Sequence, residues 1–210
     1  MLRFLAALAF VLCTLPVQAM QFSLVTLAGQ RAVLAQGEIR PGDARRLAAA
    51  LKRVRPDRFG TRNLLLNSPG GTVVDAWDMA NVLDQVGVTT IVPAGAVCAS
   101  ACASVLFVAG KYRLVLAGGR LAIHSCYDAR NGGKVEECDA ALSIRAAQRG
   151  VSGYALMAFQ ELAPGPNSIV VLSAKDAACY GLMRTPGEPA AGDNAPCIKA
   201  ALRAARAKAR

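Results

Sequence analysis

The residues of this chain best suited to chemistry are one serine and one histidine. Ser100 lies in VCASACASVLFVAG (97–110), between Cys98 and Cys102, at the mouth of an apolar run. His124 is the single histidine among 210 residues and closes the apolar stretch LAIH before a polar loop. A serine hydroxyl is a poor nucleophile until a base takes its proton. Histidine is the usual base near neutral pH. Gly70 and Gly71, in NSPGG (67–71), would let the backbone approach a substrate closely. Each feature also has a plainer use. Ser100 can cap a buried helix, His124 can fill a structural place beside a strand, and two glycines can make a turn. Ser104, one turn beyond Ser100, reads as packing.

The elements that must position these groups alternate. AVLAQGEI (32–39) reads as a strand, and Pro41-Gly42-Asp43 starts a helix with Asp43 as N-cap. NLLLN (63–67) is a short continuous apolar run, the mark of a strand buried on both faces. SPGG breaks it. A helix follows over about 72–86, with Val73, Trp77, Ala80 and Leu83 on one face. VTTIVPAGAV (88–97) reads as one strand, the run after Ser100 as a short buried helix, and RLVLAGGRLAIHS (113–125) as two strands about a Gly-Gly turn. Helices are expected over about 138–149 and 152–163, then a strand end and short helix in VVLSAKDAACYGLM (170–183). The alternation and the doubly buried strands predict an α/β domain with a mostly parallel sheet. In such folds sites form beyond the carboxyl ends of strands. Gly71, Ser100 and His124 each follow or end one. A helix beginning at Ser100 would aim free N–H groups at its surroundings, which suits an oxyanion.

NSPGG (67–71), CASA (98–101) and LAIHS (121–125) together resemble the Clp protease proteolytic subunit and its crotonase-fold relatives. The separations agree with that pattern: 32 positions from Ser68 to Ser100 and 24 from Ser100 to His124. LSAKDAACYGLM (172–183) resembles the family's segment after its acid. The resemblance runs from about Gly37 to Met183 and is closest to exported bacterial Clp-like proteins with the same Cys-x-Ser-x-Cys pattern. It implies repeated ββα units around a mostly parallel sheet, with a helical C-terminal part. It implies Ser100 as nucleophile, His124 as general base, and the N–H groups of Gly71 and Ala101 as an oxyanion hole. It further implies a peptide or unfolded-protein substrate, a homo-oligomer and no cofactor.

The chain departs from the family where an aspartate should precede LSA. The stretch reads PNSIVVLSA (166–174), with Asn167 as the nearest polar match and Ser168 beside it. An Asn amide can orient a histidine, but without the charge that stabilises an imidazolium. Losing such a carboxylate can cost up to about four orders of magnitude in turnover. Asp128, Asp139 and Asp176 are the alternatives. Signal peptide peptidases share the fold but use a lysine base. The histidine spacing favours Ser–His here.

Export is read from the N-terminus. Arg3, an apolar stretch from Phe4 to Leu15 and the small-x-small site Val17-Gln18-Ala19 make a signal peptide over 1–19. The domain then spans 20–186, followed by a Pro/Gly/Ala-rich linker and basic tail over 187–210. The expected location is the periplasm or the medium, in soluble form. An exported enzyme has no ATP supply, so no ATPase partner is expected. Cys13 leaves with the signal. Cys98, Cys102, Cys126, Cys138, Cys179 and Cys197 remain, an even number that suggests disulfides in an oxidising compartment. Six cysteines allow 15 pairings. Locality favours Cys126–Cys138 and Cys179–Cys197, which leaves Cys98 to Cys102. With no tight Cys-x-x-Cys pair and one histidine, no metal site is expected.

The chain is 54% hydrophobic and 18% charged, which excludes global disorder. Its net charge of +10 is uneven, with nine basic and three acidic residues over 31–62 and five basic residues without an acid over 199–210. No nucleic-acid motif accompanies the charge, so no nucleic-acid partner is expected. The basic tail is a candidate for membrane-surface contact. Three readings follow: an exported serine peptidase, a catalytically silent binding or assembly module on the same fold, and acyl-CoA chemistry of the crotonase type. The last is disfavoured, because an exported protein rarely meets CoA.

Overall fold

The computed structural model describes residues 19–208. The expected signal segment, with Cys13, lies outside the described residues save for Ala19. The fold is mixed α/β. β1 (Gln21–Leu27) and β2 (Gln30–Gln36) form an antiparallel hairpin. Its two turn residues, Ala28 and Gly29, have φ of 48° and 79°, the positive pair that matches strand twist. α1 (Asp43–Leu51), β3 (Arg62–Asn67), α2 (Val73–Val86) and β4 (Val88–Val92) follow. β2, β3 and β4 pair in parallel, and β6 (Tyr112–Val115) joins β4 to complete a five-stranded sheet. All five residues of β4 are buried, as are Leu64, Leu65 and Leu66 of β3. Helices cover the sheet and fill one core with Leu47, Met79, Leu83, Leu106 and Phe107.

A second sheet holds β5 (Val97–Ala99), β7 (Arg120–Ile123) and β8 (Val170–Ser173). β5 and β7 are parallel, and β8 is antiparallel to β7. This corrects the expectation of one strand over 88–97. The chain leaves the first sheet at Val92, turns at Pro93 with Ala96 N–H donating to Pro93 O at 3.1 Å, and re-enters as β5 in the other sheet. The two strands about Gly118-Gly119 are likewise divided between the sheets, not paired as a hairpin. Ser68 bridges the two layers: its N–H donates to Val97 O at 2.8 Å and its carbonyl accepts from Ala99 N–H at 2.9 Å.

α3 (Glu136–Gln148) and α4 (Gly153–Leu162) pack together, and α5 (Ala174–Cys179) follows β8. α6 (Pro196–Lys208) is fastened near its start by the Cys179–Cys197 disulfide. Asp43 is the first residue of α1, not its cap. Gly42 occupies that place at φ 87°, and the buried Asp43 carboxylate accepts Arg40 N–H at 2.8 Å. Arg113, 1% exposed, ties β6 to the segments around it. Its guanidinium donates to Leu182 O at 2.7 Å, Gly110 O at 3.0 Å and Arg149 O at 3.2 Å. Burial, helped by Arg184 and Arg149, lowers its pKa to about 10, so it stays cationic at neutral pH.

Candidate active site

Ser100 stands where β5 gives way to a π-helix over Cys102–Phe107. Its φ is 55°, a left-handed conformation that costs a non-glycine residue about 1–3 kcal/mol and persists only where the surroundings impose it. Here they do. Ser100 N–H donates to Ala122 O at 2.8 Å, and its carbonyl accepts from Ala103 and Ser104 N–H, both at 2.9 Å. The Cys98–Cys102 disulfide closes the turn around it, with Cα atoms 5.2 Å apart. π-Helical turns are rare and recur at functional sites. The serine is not a side-chain cap: Ala101 precedes the π-helix and no side chain caps it. Among the described residues, no hydrogen bond engages the Ser100 hydroxyl. Ser104 is buried, in agreement with a packing role.

The NSPGG segment presses onto this turn. A Cβ on Gly70 would sit 2.7 Å from Ser100 Cβ, 2.7 Å from Ala99 O and 3.1 Å from Ala101 N. A Cβ on Gly71 would meet Ile39 O at 2.1 Å. Both glycines have positive φ, 100° and 151°, so neither position tolerates a side chain. Ser68 Oγ accepts Gly70 N–H at 3.1 Å and shapes the loop. Thr72 then caps α2 by accepting Asp75 N–H at 3.3 Å. Among the described residues, the N–H groups of Gly71 and Ala101 donate to no backbone carbonyl.

His124 follows directly on β7, the strand whose Ala122 holds Ser100. Serine and histidine thus emerge from the carboxyl ends of adjacent parallel strands. His124 Nδ1 lies 2.6 Å from Ser125 O. A carbonyl oxygen only accepts, so Nδ1 carries the hydrogen and the neutral ring keeps its lone pair on Nε2. The Tyr127 ring flanks the imidazole, with centroids 5.5 Å apart. No hydrogen bond joins His124 to Ser100. Such bonds often close only when substrate is bound.

Asn167 makes no hydrogen bond to His124 among the described residues. It lies exposed in the turn after α4, while Ser168 Oγ donates to Gly165 O within that turn at 3.1 Å. With Nδ1 taken by Ser125 O, an Asn167 amide could reach only the nitrogen that a base must keep free. The three alternative carboxylates divide. Asp128 pairs with Arg130, whose hydrogen bond lowers its pKa. Asp176 caps α5 through Ser173, whose hydrogen bond lowers its pKa. Asp139, buried in the first turn of α3, accepts Cys126 N–H at 2.7 Å and the Ser125 hydroxyl. Sequence reasoning named Asp139 without seeing these contacts, and it missed the packing of Gly70 on Ser100.

Cys126–Cys138, Cys98–Cys102 and Cys179–Cys197 are the three disulfides. All six of these cysteines are consumed, so none is left as a thiolate for a metal. Among the described residues, no helix is long and apolar enough to cross a membrane.

Fold and site together define a mixed α/β protein with a serine and a histidine at the ends of neighbouring strands. The chain belongs to the Clp protease family, whose profile matches residues 18–185. No curated protein matches the chain.

Proposed function

We propose that the protein is an exported serine peptidase that cleaves peptides or unfolded segments without an ATPase partner. The observation that carries this reading is the Ser100 turn. An unengaged hydroxyl sits in a strained, disulfide-braced backbone, beside the strand that delivers a histidine with a free Nε2. Family membership supports peptidase chemistry. His124 Nε2 takes the Ser100 proton as Oγ attacks the scissile carbonyl. Gly71 and Ala101 N–H stabilise the oxyanion. His124 then protonates the leaving amine, and water releases the acyl group by the reverse route.

The three disulfides favour an oxidising compartment, as export requires. The β1-β2-α1 order at the start of the fold, its parallel strands and the C-terminal α6 fit the repeated ββα architecture of the resemblance. By the same kinship the protein acts as a homo-oligomer. The second reading, a silent binding module, is favoured by one observation: among the described residues, no carboxylate hydrogen-bonds to His124. Turnover of an unfolded, fluorescently quenched protein decides between them. The peptidase reading expects ATP-independent cleavage that Ser100→Ala abolishes. Equal cleavage by wild type and Ser100→Ala, or none by either, supports the silent module.

A further inference from the structure

A buried carboxylate of α3, that of Asp139, packs against the loop after His124, and the catalytic reading above does not use it. Asp139 Oδ1 accepts the N–H of Cys126 at 2.7 Å. The carbonyl oxygen facing His124 Nδ1 at 2.6 Å belongs to Ser125. These two groups are ends of one peptide unit, the Ser125–Cys126 bond. A hydrogen-bonded chain therefore runs from the Asp139 carboxylate through a single peptide to the imidazole. The other carboxylate oxygen accepts from Ser125 Oγ, so the same residue is held twice. The Cys126–Cys138 disulfide clamps the two segments, and Cys126 and Cys138 are the immediate neighbours of Ser125 and Asp139. Asp139 is 6% exposed.

We infer that Asp139 is a positioning residue for His124, acting through the Ser125–Cys126 peptide in place of the carboxylate that the family pattern sets before LSA. This rests on the serine peptidase reading. A carboxylate at the N–H end of a peptide draws that proton and raises negative charge on the carbonyl oxygen, since linked hydrogen bonds polarise one another. The carbonyl then holds the Nδ1–H tautomer more firmly and favours the imidazolium that forms when Ser100 is deprotonated. These are two of the services a directly bonded aspartate provides. The charged groups around the chain are Lys134, Glu161 and Glu136. Lys134 Nζ lies 3.9 Å from Asp139 and pairs with Glu161, which above all keeps it protonated. Lys134 therefore weakens the pull of Asp139 without cancelling it.

The single histidine makes the test direct, because every imidazole nitrogen signal comes from His124. Nitrogen-15 spectra of the oxidised protein are expected to show the Nδ1–H tautomer. Asp139→Asn keeps the shape but removes the charge. It is expected to shift the Nδ1–H signal and depopulate that tautomer. It should lower kcat and the rate of Ser100 phosphonylation together, by about tenfold to a hundredfold as for other outer-shell partners, with KM unchanged. That is less than the roughly 10⁴ of a directly bonded carboxylate. Lys134→Met is the second variant and carries the test if Asp139→Asn does not fold. It should move the signal and the rate in the opposite sense. Unmoved nitrogen shifts and an unchanged phosphonylation rate in the folded variants overturn the inference. Failure of the peptidase reading looks different: wild type does not react at Ser100, whatever the histidine spectra show.

Discussion

The two turns that carry the candidate reacting groups are braced by different means. The Ser100 turn is held by backbone and sterics: a short disulfide, two N–H groups of the π-helix start that donate to its carbonyl, a strand hydrogen bond and a glycine pressed against its Cβ. The His124 loop is held by polar side chains: a buried aspartate, a serine hydroxyl and a disulfide that closes a longer loop. A nucleophile needs one fixed position, and rigid packing supplies it. A base must change charge during the reaction, and a polar, partly hydrated surrounding can respond to that. The contrast predicts that the serine side fails abruptly when its packing is disturbed, while the histidine side fails by degrees.

Gly70→Ala is expected to break the serine side most severely. The new Cβ meets backbone and Ser100 Cβ at 2.7 Å, and the backbone there has φ of 100°. A loss of about 3 kcal/mol in stability and loss of phosphonylation should follow, measured by denaturant unfolding and by intact mass. Removing the disulfides in pairs, as Cys→Ser, sharpens the comparison. Loop-closure entropy gives about 3 kcal/mol for Cys126–Cys138, whose cysteines are 12 apart, and about 2 kcal/mol for Cys98–Cys102, which are 4 apart. Reactivity is expected to rank the other way, with Cys98–Cys102 removal slowing Ser100 labelling more. If both rankings run in parallel, the two turns are braced alike. The smallest effect is expected from Asp176→Asn in α5, remote from both turns. The folded pKa of Asp176 is lowered from 3.8 by its Ser173 partner, so its contribution is present above that value and fades as pH falls below it. Thermal scans of the variant should match wild type in strong acid and fall slightly short at neutral pH, with labelling unaffected.

Much of this scaffold was legible in the residues. NLLLN had to be a doubly buried strand, and the Gly-Gly after it had to turn tightly. The order of Gly71, Ser100 and His124 followed from the strands that carry them. The division into two sheets was not legible. VTTIVPAGAV is apolar throughout, and nothing in its periodicity tells that the chain changes partner at Pro93. The hairpin strand β1 was not legible either, because QFSLVTL lies close behind the apolar N-terminal stretch. The carboxylate proposed to support His124 was hidden for a physical reason. Asn167 is nearest in pattern, yet the nitrogen it should serve is satisfied by the next residue's carbonyl. The charge behind that carbonyl arrives from a residue 14 positions along, on another element.

The proposed peptidase depends on Ser100 acting as a nucleophile activated by His124. A fluorophosphonate probe applied to the oxidised protein, followed by peptide mass mapping, tests it most directly. A single adduct is expected on Ser100, absent from Ser100→Ala and strongly slowed in His124→Ala. No adduct on Ser100, or an adduct that forms at the same rate without His124, would contradict it.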